Sequence, residues 1–222
     1  MTFRLDMLAT RAGIACALLA TGCPETDPET TPDAGADATQ SCPFDFVGDP
    51  AQDVAIVPIV LGVDGKSTEL HDGDDIPLIF PPQGGRVVFV GARAQNLDPC
   101  AVVIGGTMRD PVNAKLTFDN RTINLRPGDD GWAASLDADY NTFSNIPICP
   151  NQWGASKDAF DQHFEVEISV KDRGGRKASA KVDVVPRCAE PENLDNCKCI
   201  CKFGYTTGEQ CSSGSGGAGG GG

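Results

Sequence analysis

The sequence predicts a mainly β protein: an antiparallel β-sandwich with a small disulfide-rich knot after it and unstructured segments at both ends. Three observations lead there. Residues 164–184 alternate apolar and polar side chains on both sides of a glycine turn, which is the period of half-buried strands. No stretch of comparable length sustains a 3.6-residue apolar period between helix start and stop signals, so helix is a minor component. Five of the ten cysteines fall within residues 188–211, a density typical of small disulfide frameworks.

The chain opens with a cationic start bearing Arg4 and Arg11, then an uncharged run from Ala12 that ends in Leu19-Ala20-Thr21-Gly22-Cys23. This run is shorter than the roughly 20 residues a bilayer span needs, and its layout is that of a secretory signal. Small residues leading into a cysteine resemble the lipobox of bacterial lipoproteins. The resemblance implies that residues 1–22 are removed, that Cys23 is acylated on its thiol and its new amino group, and that the membrane holds the chain through this anchor. Pro24, where that family's sorting rule places Asp for inner-membrane retention, points to the outer membrane. A plain secretory peptide without lipid is the alternative. From residue 24 to 41 there are five acidic residues, three prolines and no Lys or Arg. Such a segment has too little apolar surface to offset chain entropy, so 23–41 reads as a disordered tether reaching about 20 Å.

The formal charge of the chain is −13, and residues 1–22 carry a net +1, so the remainder carries −14. That excludes nucleic acid and flat adsorption on anionic lipid, both of which need a basic face. It suits a soluble body held in water, or a partner that is basic or brings divalent cations.

Within 42–187 the segments 53–61, 86–94 and 101–104 are β-branched apolar runs, and Pro58 marks an edge or a bulge in the first. Asp72-Gly73-Asp74-Asp75 and Pro81-Pro82-Gln83-Gly84-Gly85 read as turns. Shorter strands are expected at 115–118, 122–125 and 132–136, the first two divided by Asp119-Asn120. Phe164, Val166, Ile168 and Val170 then face a core, and after Asp172-Arg173-Gly174-Gly175 the pattern resumes with Ala178, Ala180, Val182 and Val184. This is a hairpin, and small residues facing large ones suit sheets about 10 Å apart. Ile168, Val170, Asp172 and Gly175 resemble the closing hairpin of immunoglobulin-like domains of the PKD and cadherin-like kind, which implies an Ig-like sandwich and no particular activity. The stretch 81–100 is similar to bacterial envelope proteins of unknown role.

With Cys16 removed and Cys23 lipidated, eight thiols remain: Cys42, Cys100, Cys149, Cys188, Cys197, Cys199, Cys201 and Cys211. In an oxidising compartment they read as four disulfides. Three lie in or beside the sandwich and five in the tail, so complete pairing requires a bridge between the two. Cys42–Cys188 and Cys100–Cys149 are the favoured pairs. Cys199 to Tyr205, followed by Cys211, is similar to the closing half of an EGF-like module, and that family implies Cys201–Cys211. A thiolate metal site at Cys197, Cys199 and Cys201 is the rival reading, disfavoured by export and by a tail without histidine. Residues 212–222 are Gly/Ser linker.

Chemistry-bearing patterns are few. His71 and His163 sit in no spacing that suggests a metal pair or a nucleophile with its base, and the paired glycines are turn residues rather than a phosphate cradle. Asp72, Asp74 and Asp75, Asp129 and Asp130, and Asp137 and Asp139 are acidic clusters. The last lacks the glycine and closing Glu of an EF-hand, which leaves calcium between loops as an alternative to Asp-rich turns. Tyr140, Phe143, Trp153 and Phe160 lie in the long segment 137–162, either as a binding rim or as a small core tacked down by Cys149. The expectation is a non-enzymatic envelope lipoprotein without a cofactor, acting in binding, adhesion or scaffolding with another envelope protein or a surface polymer. A calcium-stabilised cadherin-like adhesion module and a secreted hydrolase or its accessory domain are the alternatives.

Overall fold

The apolar and alternating segments pair into two sheets packed face to face, in a computed structural model that describes residues 43–211. The signal segment, Cys23, the tether, Cys42 and residues 212–222 all lie outside the described residues. The first sheet contains β1 (Ala55–Leu61), β2 (Ser67–Glu69), β4 (Arg86–Gln95), β7 (Arg126–Pro127), β8 (Ala133–Ala134) and β9 (Ser144–Cys149). Its order is β2-β1-β4, and β4 then pairs with β9 over residues 86–90 and with β8 over residues 93–94, β7 lying beyond β8. The second sheet is β3 (Asp74–Leu78), β11 (Lys177–Cys188), β10 (Phe164–Lys171), β5 (Val102–Arg109) and β6 (Leu116–Ile123), in that order. Every pairing is antiparallel except β3 with β11.

The core forms where the inward residues meet. Val88, Val90, Ala92 and Ala94 of β4 face Ile104 and Met108 of β5 and Phe164, Val166 and Ile168 of β10, all buried. Pairing of Val166 with Val182 and Ile168 with Ala180 matches the alternation of the last hairpin. Pro58 suits its place in β1 because its carbonyl accepts from Leu70, on the side away from β4. A residue's N–H and C=O point the same way in a strand, so the missing donor falls where the ladder with β4 does not need it. β4 is buried on both faces, since Val87 and Phe89 on its outer side are covered by Ile59, Leu61 and Phe143. The sandwich therefore has a second, smaller core outside the first sheet.

Three local expectations are corrected. β6 runs unbroken through Asp119-Asn120, because the Asp119 carboxylate accepts from Ser144 Oγ, Asn145 N and Arg121 Nε and so has no need of a turn. β3 starts at Asp74, inside the expected turn, and β9 occupies residues read as loop. Both are short strands whose alternation is interrupted by Pro77 and Pro147.

The disulfides also differ from the expected pairs. Cys149 bonds Cys201, Cys188 bonds Cys197, and Cys199 bonds Cys211, so Cys100–Cys149, Cys42–Cys188 and Cys201–Cys211 are all overturned. Cys100 is itself disulfide-bonded. The reason is a helix, α1 (Leu194–Cys201), where an EGF-like loop was expected. Residues four apart share a helix face, so buried Cys197 and Cys201 both point at the sandwich, to the ends of β11 and β9. Cys199, two residues from each, points elsewhere, which removes it from any shared metal site with them. The sulfurs of Cys188, Cys197 and Cys201 lie within 4.8 Å of one another, as members of two neighbouring disulfides. Cys149–Cys201 joins the knot to the sandwich.

Candidate functional site

A cleft of about 510 Å3 opens on the outer side of the first sheet, between the turn after β3 and the turn before β9. Its floor is Phe89, which projects outward from β4 because β4's inward positions are taken by the main core. One wall begins with a bridge in which Ile79 and Val87 exchange backbone bonds of 2.9 and 3.0 Å. From there Phe80, Pro81 and Pro82 turn back toward β4, closed by Gly84 N donating to Pro81 O at 2.9 Å. Phe80 stands 46% exposed at the cleft mouth.

The opposite wall is a single 3-10 turn, Tyr140–Thr142. Asp139 caps it, its carboxylate accepting from the backbone N–H and the carboxamide of Asn141 at 3.0 Å each. Thr142 locks it from below: its hydroxyl donates to Asp139 O and accepts from Leu136 N, both at 2.7 Å. Phe143 then buries completely over Gly91, where a Cβ would come within 2.7 Å of its ring. The result is a rigid turn that holds Tyr140 51% exposed, its ring 5.4 Å from that of Phe89 and tilted by 50°. Edge-on and tilted aromatic pairs of this spacing are favourable.

The polar side of the cleft comes from β6 and β9. Arg121 Nε donates to Asp119 Oδ2 at 2.9 Å, and the same oxygen accepts from Asn145 N at 2.8 Å and Ser144 Oγ at 3.3 Å. The carboxylate is thereby fixed, and so is the guanidinium it holds. The two terminal nitrogens of Arg121 bond no described residue. Asn145 also enters the cleft, and its Oδ1 is buried without a hydrogen-bond partner.

The sequence-derived candidates distribute as follows. His71 Nδ1 lies 3.5 Å from Asp74 Oδ2 and His163 Nδ1 lies 2.5 Å from Asp183 Oδ1, both on open surface away from the cleft. The acidic clusters are engaged locally. Asp72 accepts from Asp183 N, Asp75 pairs with Arg187, and Asp137 accepts from Ser67. Asp130 accepts from Trp132 N and pairs with Arg93, which together hold its carboxyl below the ordinary range. The aromatic segment divides. Trp153 and Phe160 pack on the main core, with Trp153 Nε1 donating to Ile148 O at 3.0 Å, whereas Tyr140 alone forms a rim. The sequence reading missed Phe80, Phe89, Arg121 and Asn145 as cleft residues. A Phe followed by two prolines, exposed beside a strand, was the one available signal.

The knot braces the Phe80 wall. Arg86, only 1% exposed, donates from Nη1 to Gly85 O at 2.7 Å and from Nη2 to Asn193 O and Asn196 Oδ1 at 3.3 Å each. Its guanidinium lies 4.7 Å from the Phe80 ring centroid. Burial lowers its pKa from the usual arginine value, an effect partly opposed by the nearby Glu190 carboxylate. Glu190 in turn accepts from Phe80 N at 3.2 Å. Elsewhere, buried Asp110 ties the end of β5 to residue 156. Burial raises its pKa, but the Ser156 and Val112 donors and the charge of Lys157 outweigh this and hold it below the ordinary range.

No family model, no curated protein and no solved structure matches this chain.

Proposed function

We propose that this chain is a non-catalytic binding module of the bacterial cell envelope, carried on a lipid anchor at Cys23 and displayed beyond an acidic tether. The observation that carries the binding role is the cleft between Phe80 and Tyr140, where exposed aromatic rings stand on two rigid turns. Exposed apolar rings in a concave, partly polar setting are the usual marks of a ligand site. Its ionisable pair, Arg121 with Asp119, is held fixed, the carboxylate also accepting from Ser144 and Asn145. The disulfides suit an oxidising compartment, which supports export. The strand order β3-β11-β10-β5-β6, with its first strand parallel to the last of the chain, supports an Ig-like ancestry for the sandwich. Outer-membrane placement rests on Pro24.

The test uses the full chain with its own signal, grown with an alkyne-tagged palmitate. Label in the membrane fraction is expected, and Cys23→Ser abolishes it. An unlabelled chain in the cytosol with free thiols would overturn the reading.

A further inference from the structure

We propose that the cleft takes a neutral saccharide, a hexose or N-acetylhexosamine unit of a surface polymer. This inference rests on the binding role above and specifies its ligand. Charge is the first argument. Among the described residues that line the cleft the one cation, Arg121, is already paired with Asp119 at 2.9 Å, so that lining has no uncompensated charge to offer. An anionic ligand gains no free counter-ion there and also meets the field of a chain carrying −13. A cationic ligand finds no free carboxylate there, since that of Asp119 already accepts from Arg121, Ser144 and Asn145. A neutral ligand loses nothing to either.

Hydrogen-bonding character is the second argument. The cleft presents the two free terminal nitrogens of Arg121 as donors, the carboxamide of Asn141, which gives one of its two amino hydrogens to Asp139, and the Gln83 amide. Asn145 lines the cleft and adds an oxygen that is buried without a partner. A satisfied complex therefore needs groups that both give and accept. Hydroxyls do so, and an unpaired buried acceptor favours a ligand that donates. A proline-rich peptide, the obvious rival for an aromatic groove, brings carbonyl acceptors and few donors.

Shape is the third. Phe80 and Tyr140 face the opening from opposite walls above Phe89, and the negative faces of the rings suit the polarised C–H bonds of a pyranose. The volume, about 510 Å3, falls in the ordinary range for small-ligand sites of roughly 300–1,000 Å3.

The experiment applies the full chain, extracted from membranes in a mild detergent without a sugar headgroup, to an array of neutral hexose and N-acetylhexosamine oligosaccharides. Parallel arms carry polyuronate oligomers and a proline-rich decapeptide, and hits are measured by titration calorimetry. Binding to a neutral oligosaccharide is expected, weakened at least tenfold by Tyr140→Ala and by Arg121→Gln. Tyr140 is half-exposed and its one ring contact among the described residues is with Phe89, so its variant is expected to stay folded and to lose no more than a few degrees of melting temperature, which is checked alongside. Binding of only the acidic or the peptide arm, sensitive to Tyr140→Ala, would overturn the saccharide assignment and leave the cleft as the binding site. No binding in any arm, or binding indifferent to both substitutions, would overturn the assignment and the cleft reading together.

Discussion

Replacing Arg86 by Met tests whether a buried guanidinium holds the knot on the sandwich. The unbranched apolar side chain fills most of the same space and keeps contact with Phe80, so what is removed is charge and hydrogen bonding. The 2.7 Å bond to Gly85 O is charge-assisted and belongs in the range of about 1.5–3 kcal/mol, while each 3.3 Å bond to Asn193 and Asn196 belongs near the weak end, about 0.5–1 kcal/mol. Against this loss of about 2.5–5 kcal/mol stands relief of the cost of burying a cation whose Nε has no partner and whose counter-ion, Glu190, is not in contact. A net destabilisation of about 2 kcal/mol follows. For a domain of this size that lowers Tm by about 4–8 °C. Because Cys149–Cys201 and Cys188–Cys197 keep the helix tethered, the loss is local before it is global. Amide hydrogen exchange is therefore the sharper assay. Amides of residues 194–201 are expected to lose protection by more than tenfold while those of β5 and β10 change little. Unchanged protection in α1 together with an unchanged Tm would refute the argument that Arg86 docks the knot.

Four further outcomes are expected. Removing the crosslink with Cys149→Ala and Cys201→Ala opens a closure spanning 52 residues and costs about 4 kcal/mol in the chain-entropy model, read by urea unfolding against the parent. Asp110→Asn keeps the shape but loses charge-assisted bonds to Ser156 and Val112, costing about 2 kcal/mol. The folded pKa of Asp110 is lowered, so its contribution is present above the unfolded carboxylate value near 4 and fades as pH falls through the lower folded value; the variant's acid-unfolding curve is expected to be flatter in that window. Gly91→Ala drives a methyl into the Phe143 ring and Ser135 Oγ, costing about 1–3 kcal/mol and, by lifting the turn that carries Tyr140, weakening any ligand held in the cleft. Millimolar calcium against chelator is expected to leave Tm unmoved, since the Asp130, Asp137 and Asp139 carboxylates already hold protein donors; a rise of several degrees would return the acidic turns to consideration as ion sites.

The strands that the sequence announced are those whose faces differ in solvent exposure. β10 and the first half of β11 place one face on the core and one in water, so their alternation is a direct imprint of the packing. β4 was legible for another reason, as a continuous apolar run, and the run already implied cover on both sides; what covers it, Phe143 on Gly91, depends on a loop fold that periodicity does not encode. β3 and β9 were hidden by Pro77 and Pro147. The Asp119-Asn120 pair misled because a turn residue and a ladder residue differ only in where the carboxylate finds its donors, and three of those donors come from β6 itself and from distant β9. Cysteine parity demanded a tail-to-body bridge, but the choice of Cys149–Cys201 needed the helical face shared by Cys197 and Cys201.

The cleft was illegible because its walls are assembled by elements remote in sequence, and the same assembly explains the place of the knot beside it. Phe80 has no strand partner of its own. It is held through its amide by Glu190 and through its ring by Arg86, and Arg86 is in turn held by Asn193 and Asn196. All three partners from the tail belong to residues 190–196, the segment between Cys188 and Cys197 that the disulfide closes into a short loop. Crosslinking thus removes freedom from the one segment whose position fixes Phe80, while on the far wall Tyr140 gains the same rigidity from Asp139, Thr142 and buried Phe143 without a covalent bond. A site whose aromatic walls are both pre-set spends little of a weak ligand's binding energy on ordering itself. On this argument the knot serves the cleft through Phe80 alone, because the Tyr140 wall and the Arg121–Asp119 pair are anchored entirely within the sandwich.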